Sequence, residues 1–249
     1  MIITRPEDKD ISILKKLWFE AFGDTSEFID MFFRTSFSKK RATVLKINDK
    51  IASALYWFDC TFGNKKVAYI YAVATFKEFQ KQGLCSKMME ETHRYLKESG
   101  YLGACLVSSS AKLFDFYAKL GYKKCIYHNE DTVFFQESNI DTEKISAEEY
   151  INLRKQYIPN NCILQKDIEF LKLQTEFFVG EDFLFSARKE KDTLIVLEFW
   201  GNKNKRPDIV YAQKAKKGIF RSLGDDMPFA MYLPFKESEI PVYLDFAYD

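Results

Sequence analysis

The most constraining stretch of this sequence is YIYAVATFKEFQKQGLCSKMMEETHRYL, residues 69 to 96. A β-branched and aromatic run ends near Thr75, the chain turns through Gln80-Lys81-Gln82-Gly83, and a helix starts at once. Leu84, Met88, Thr92, Tyr95 and Leu96 fall near one helical face, and Gly100 is the stop. The amides of the first helical turn have no intrahelical partner and the macrodipole adds partial positive charge. Such a start is an anion site by geometry, and a diphosphate fits it. It is not a Walker loop, since G-x-x-x-x-G-K is absent, nor a dinucleotide fingerprint, since Gly83 stands alone.

Ahead of this stretch, Ile11, Leu14, Leu17, Trp18 and Phe22 form a helical stripe closed by Gly23, and Asp24 with Glu27 opens a second helix through about Phe33. Residues 42–47, 50–60 and 66–74 are strand-like runs divided by Asn-Asp and Gly-Asn, the pattern of an antiparallel meander. Behind it, residues 103–108 read as a strand, 111–120 as a helix capped by Gly121, and 122–127 with 132–136 as two closing strands. Alternating strands and helices predict a right-handed crossover with locally parallel central strands, hence a mixed sheet of α/β (α+β) class.

Residues 137–144 are polar and interrupt the pattern, after which Ser146 with Glu149 forms a capping box for a helix over about 147–157. We place a domain boundary there, giving units of residues 1–137 and 138–249 with net charges of +4 and −3. That asymmetry agrees with an anionic ligand on the first unit. The second reads as a helix over 168–177, strands over 183–188 and 193–199, a helix near 207–215, and short strands over 219–222, 229–233 and 242–246. Helix, hairpin, helix, strands echoes the first unit in abbreviated form, without a residue-level repeat.

Composition removes other classes. Lys and Arg total 37 against 36 Asp and Glu, too even for nucleic acid or an anionic membrane to be the main partner. No window approaches a membrane span, and the charged N-terminus lacks the form of a signal peptide. The five cysteines, Cys60, Cys85, Cys105, Cys125 and Cys162, are odd in number and have no CxxC spacing, which implies a reducing cytoplasm. With only His93 and His128 as imidazoles, no metal site is expected. The 24 Phe, 14 Tyr and 3 Trp are expected mainly in the core.

The loop resembles that of the GNAT superfamily of acyl-CoA-dependent N-acyltransferases, whose pyrophosphate signature reads (R/Q)-x-x-G-x-(G/A) between a strand and a helix. Gln80, Lys81, Gln82, Gly83, Leu84 and Cys85 occupy its positions, with Gln for the commoner Arg and Cys at the crowded sixth place. Residues 106–123, LVSSSAKLFDFYAKLGYK, resemble the strand and FYxxxGY/F helix that follow it in the family. Over about residues 1–137 the resemblance implies a GNAT fold, a mostly antiparallel sheet flanked by helices, followed here by a smaller GNAT-like α+β unit. It implies acetyl-CoA as cosubstrate, a pantetheine edge at Val73, Ala74 and Thr75, and pyrophosphate on the amides from Lys81 to Ser86. Val73 is then the main-chain donor to the thioester carbonyl and Tyr117 the general acid toward the departing thiolate. From position alone Tyr117 also reads as a core tyrosine, Cys85 as packing rather than nucleophile, and Lys81, Lys87 and Lys112 as surface residues as readily as phosphate contacts.

The implied reaction is transfer of an acetyl group to a primary amine by direct attack in a ternary complex. The strand before the loop carries no carboxylate to serve as base. Glu20, Asp24 and a water chain are candidates. The two-domain layout also resembles acetyltransferases of the enhanced intracellular survival type, which implies a carboxylate at the chain end, Asp249. The alternatives are a catalytically inactive CoA-binding sensor on the same scaffold and an adaptor whose loop over residues 80–86 is occluded. The acceptor amine, the acyl length and the choice between monomer and homodimer are left open.

Overall fold

The computed structural model describes residues 1–108, 110–166, 172 and 175–246. α1 (Ile11–Phe22) ends where Gly23 takes the left-handed conformation at φ 73° and returns its amide to the Phe19 carbonyl at 2.9 Å. α2 (Ser26–Thr35) starts later than the Asp24–Glu27 spacing predicts. Thr25 is its cap, accepting from the Phe28 amide at 3.3 Å, because Asp24 is already accepting from Trp18 Nε1 at 2.7 Å.

β2 (Ala42–Ile47), β3 (Lys50–Phe62) and β4 (Lys65–Thr75) form the expected antiparallel meander, and β1 (Ile2–Thr4), which the sequence reading did not include, adds antiparallel to β2. α3 (Leu84–Glu98) then crosses to β5 (Gly103–Val107), which pairs parallel to β4. α4 (Ala111–Lys119) leads into β6 (Lys123–Phe134), one strand where the sequence pattern predicts two. The polar residues His128–Asp131 contain no glycine or proline to turn the chain, and twelve extended residues pair one partner strand with each half.

β7 (Glu143–Ile145) precedes α5 (Ala147–Leu153), capped as predicted by Ser146, which accepts from the Glu149 amide at 3.1 Å. The remaining described elements are β8 (Cys162–Gln165), β9 (Glu176–Val179), β10 (Phe183–Glu190), β11 (Thr193–Gly201), α6 (Arg206–Ala212), β12 (Lys217–Leu223), β13 (Met227–Pro234) and β14 (Tyr243–Leu244). The helix expected over 168–177 lies mostly outside the described residues, and Glu176 and Phe177 at its end begin β9.

The described strands make one mixed, mostly antiparallel sheet of fourteen. β11, α6 and β12 repeat the parallel crossover of β4, α3 and β5. β5 and β6 do not pair, because β13 enters between them antiparallel to both. Alternation along β3 separates two cores: Tyr56, Phe58 and Cys60 face α1, α2 and β14, whereas Leu55 and Trp57 face α3 and α4. α6 covers a third group that includes Phe185, Val196 and Phe220. The aromatic residues fill these cores as expected. Trp18 lies 4.6 Å from Phe32, 5.5 Å from Tyr56 and 5.7 Å from Tyr71 between ring centroids, so truncating it to Ala would cost about 3–5 kcal/mol.

Candidate functional site

The loop between β4 and α3 is built from two left-handed residues, Lys81 at φ 61° and Gly83 at φ 73°. A Cβ on Gly83 would meet nothing within 4 Å, so glycine is favoured there by backbone conformation rather than by space. No side chain caps α3, and its first intrahelical bond runs from the Lys87 amide to Gly83 O at 3.2 Å. The amides of Leu84, Cys85 and Ser86 therefore have no intrahelical acceptor. Both glutamines brace the loop from outside: Gln80 Nε2 donates to Thr75 O and Gln82 Nε2 to Glu78 O, each at 3.0 Å. Gln80, Lys81, Gln82 and Gly83 are exposed, unlike the occluded loop an adaptor predicts. An anion placed here would meet main-chain N–H groups and the positive end of the helix dipole.

Tyr56 faces Tyr71 and Ala54 faces Ala74, so β4 carries one extra residue opposite Leu55, and Ala72 stands at φ 47°. This β-bulge bends β4 away. β5 pairs with β4 only from Val67 to Tyr69, and beyond that point the strands part into a cleft. Backbone parity sets what faces it. The Phe76 amide donates to Ala52 O at 3.0 Å, so residues 74 and 76 turn toward β3, and the N–H groups of Val73 and Thr75 turn toward the cleft. Ser53, which sequence reasoning passed over, braces this edge. Its hydroxyl donates to Ala74 O at 2.6 Å and its oxygen lies 2.8 Å from Thr75 Oγ1. Its only signal in the sequence is a polar residue inside the apolar run of β3.

Val73, Leu84, Cys85 and Tyr117 belong to one apolar cluster, Leu84 and Tyr117 buried in it and Val73 and Cys85 half-buried against it. Burial, with Cys85 beside it, holds the Tyr117 hydroxyl well above the usual tyrosine range, so it remains a proton donor. Burial likewise pushes the Cys85 thiol up to about 11 despite a hydrogen bond with Thr75, which removes the nucleophile reading and leaves packing. His93 is half-buried against Tyr122, 2.8 Å from its hydroxyl, and that burial lowers it to about 4.

The base candidates do not converge on the cleft. Glu20 is exposed on α1, 3.6 Å from Lys16, and Asp24 is bound to Trp18. Asp249 lies outside the described residues. β14 runs parallel to β8, and β8 and β4 are both antiparallel to β3, so the chain from Tyr243 to Phe246 advances in the direction of β4, toward the end where the cleft opens. No described group of three His, Cys, Asp or Glu residues is arranged to hold a metal, and no described helix is long and apolar enough to cross a membrane.

Residues 3–125 match the family described as the acetyltransferase (GNAT) domain. No curated protein matches the sequence. The fold is similar to the GCN5-related N-acetyltransferase from Anabaena variabilis, with TM-score 0.74 and 13% identity over 94% of this chain and 73% of that one. It is similar to the GCN5-related N-acetyltransferase from Kribbella flavida at TM-score 0.71, with 11% identity over 93% and 70% of the two chains. Eis1 from Mycobacterium abscessus aligns at TM-score 0.68, with 8% identity over 94% and 74%. At these identities the likeness is one of fold, and the domain match adds the lineage of one part: residues 3–125 form an acetyltransferase domain of the GNAT superfamily.

Proposed function

We propose that this protein transfers an acetyl group from acetyl-CoA to a primary amine by direct attack within a ternary complex. The observation that carries the reading is the coincidence, in one cleft, of an exposed amide-rich helix start, an unpaired strand edge and a buried, protonated tyrosine. Pyrophosphate takes the amides of Lys81, Gln82, Gly83, Leu84, Cys85 and Ser86, with Gln80 bracing the loop. Pantetheine adds as a short strand along Val73, Ala74 and Thr75. The thioester carbonyl accepts from the Val73 N–H, which stabilises the oxyanion as the neutral amine forms the new C–N bond. Collapse breaks the C–S bond, the electron pair leaves on sulfur, and the Tyr117 hydroxyl supplies its proton. The proton lost by nitrogen goes to a carboxylate, which we assign to Asp249. In this reading residues 1–137 bind the cosubstrate and residues 138–249 narrow the acceptor side.

Titrating acetyl-CoA by calorimetry, followed by an amine screen with Tyr117→Phe as control, tests the proposal. Low-micromolar binding with Tyr117-dependent acetylation supports it. Absence of binding at millimolar ligand refutes it. Binding without turnover of any amine favours the CoA-sensor reading, for which the specific observation is that β4 carries no carboxylate between Tyr69 and Thr75.

A further inference from the structure

A short chain of polar side chains ties the end of β4 to β3 on one side and to α3 on the other. Ser53 of β3 is 0% exposed and stands opposite Thr75 in the ladder. Its hydroxyl donates to Ala74 O at 2.6 Å, and its oxygen lies 2.8 Å from Thr75 Oγ1. Ser53 has one proton and Ala74 takes it, so Thr75 is the donor in the second contact. With its own proton committed, the Thr75 oxygen is left to accept from the thiol of Cys85, to which it is hydrogen-bonded in the first turn of α3. The chain therefore runs one way, from the Cys85 S–H to the Thr75 O–H to the Ser53 O–H to the Ala74 carbonyl. The main chain of Thr75 adds a further tie, since its carbonyl accepts from Gln80 Nε2 at 3.0 Å.

These ties meet where the loop has little else to hold it. α3 has no side-chain cap, Gln80 to Gly83 are exposed, and the backbone turns left-handed at Lys81 and Gly83. Thr75 belongs to the strand edge that borders the cleft, and Cys85 lies among the free amides of the helix start. The bond between their side chains joins these two surfaces directly, without passing through residues 76–83. Two apolar side chains would pack at these positions with no preferred direction, whereas a hydrogen bond sets both a distance and an angle. The link to Ser53 anchors the pair on the interior of the sheet, and successive bonds in such a chain polarise and strengthen one another.

We infer that Thr75 is a positioning residue for acyl-CoA: held by Ser53, its side chain seats Cys85 and so fixes the distance from the strand edge at Val73 and Thr75 to the amides of Leu84, Cys85 and Ser86. The inference rests on the reading above that pantetheine takes the edge and the diphosphate takes the loop. A ligand that spans two subsites makes its second contact at an effective concentration set by how well the subsites are spaced. The Thr75 side chain therefore acts on a ligand that reaches both subsites and has little effect on one that reaches either alone.

Four variants of the full chain test it. Thr75→Val removes the hydroxyl at nearly constant shape, and Thr75→Ser keeps it. Ser53→Ala removes one end of the chain and Cys85→Ala the other, so the test does not depend on any one variant folding. Affinity is measured by calorimetry for acetyl-CoA and by ligand-observed NMR for its two halves, pantetheine and 3′-phospho-ADP, with urea denaturation alongside. Thr75→Val, Ser53→Ala and Cys85→Ala are expected to weaken acetyl-CoA by about fivefold or more and each half by less than about twofold, and Thr75→Ser is expected to recover most of the loss. The double variant Thr75→Val/Cys85→Ala should lose no more than about twofold beyond Thr75→Val, because both changes act through one bond. A purely structural role would lower the urea midpoint and leave acetyl-CoA affinity within about twofold, or weaken one half as much as the whole ligand. Either result overturns the proposal, and so does a double variant whose losses multiply. If the parent fails to bind acetyl-CoA, the cosubstrate reading and the positioning role fail together. If the parent binds it and Thr75→Val binds it equally well, the positioning role fails alone.

Discussion

Replacing Tyr117 by Phe separates the packing of this residue from its chemistry. The hydroxyl makes no hydrogen bond within the described residues, whereas the ring packs at 5.1 Å from Phe116 and 5.9 Å from Tyr122 between centroids. Deleting a bonded buried hydroxyl costs about 1 kcal/mol, so with no bond to lose the stability of Tyr117→Phe should change by less than about 0.5 kcal/mol. Catalysis should respond differently. General acids contribute about 10²–10⁴-fold, but a thiol of ordinary pKa near 8.5 also leaves without a proton, which places the loss at about 10–100-fold in kcat, or about 1.4–2.7 kcal/mol. Affinity for acetyl-CoA should be unchanged, since the proton is needed only as the C–S bond breaks. Burial first, and then the field of Cys85, holds the hydroxyl above its ordinary value of 10, so the parent enzyme should show no rate loss from tyrosine ionisation between pH 7 and 10. The assay is release of free CoA thiol at saturating acceptor, alongside calorimetry and urea denaturation. A variant within twofold of the parent kcat, or one whose loss of rate tracks a loss of stability, would refute the acid role.

Gly83→Ala should weaken acetyl-CoA binding or destabilise the fold by about 1–2 kcal/mol, because alanine meets no clash there but must hold a left-handed backbone; unchanged affinity and unchanged urea midpoint together would exclude this account. With its thiol raised by burial to about 11, Cys85 should resist iodoacetamide at pH 8 in the native protein and react only on unfolding, which mass spectrometry of the labelled peptide reads directly. Burial, the largest cause, raises the Asp245 carboxyl to about 6 from its usual 3.8, and Arg154 only partly offsets it. The native state then binds this proton more tightly than the unfolded chain between about pH 4 and 6, so its stabilising contribution falls as pH rises through that window and levels off above it. The stability of the parent relative to Asp245→Asn should accordingly drop by on the order of 2 kcal/mol from pH 4.5 to 7, and an increase would contradict the sign.

Much of the N-terminal half was legible because its signals are local. Gly23, Gly83 and Gly121 mark points where the backbone turns left-handed, and the stripes of α1 and α3 follow from one helical period. The Ser146 cap also reads from four consecutive residues, although of the expected capping box only the bond from the Glu149 amide to the Ser146 hydroxyl is seen. The errors lay where neighbours compete. Asp24 and Thr25 are both good caps, and only the indole of Trp18 decides which carboxylate or hydroxyl is free for the helix. The break expected inside β6 was a polar stretch that two partner strands keep extended. Ser53 gave little sign of its role, since its bonds to Ala74 and Thr75 span 21 and 22 residues.

By itself the sequence determined most of the elements and the strand, loop and helix start whose free amides can seat an anion. All of these depend on contacts within a few positions of the chain. Tertiary structure alone decided that β13 enters between β5 and β6, that the bulge at Ala72 opens the cleft, and that Arg154 meets Glu198 and Asp245, 44 and 91 residues away. Strand order and buried charge pairing are settled by which distant surfaces exclude water together, and no local period encodes that choice.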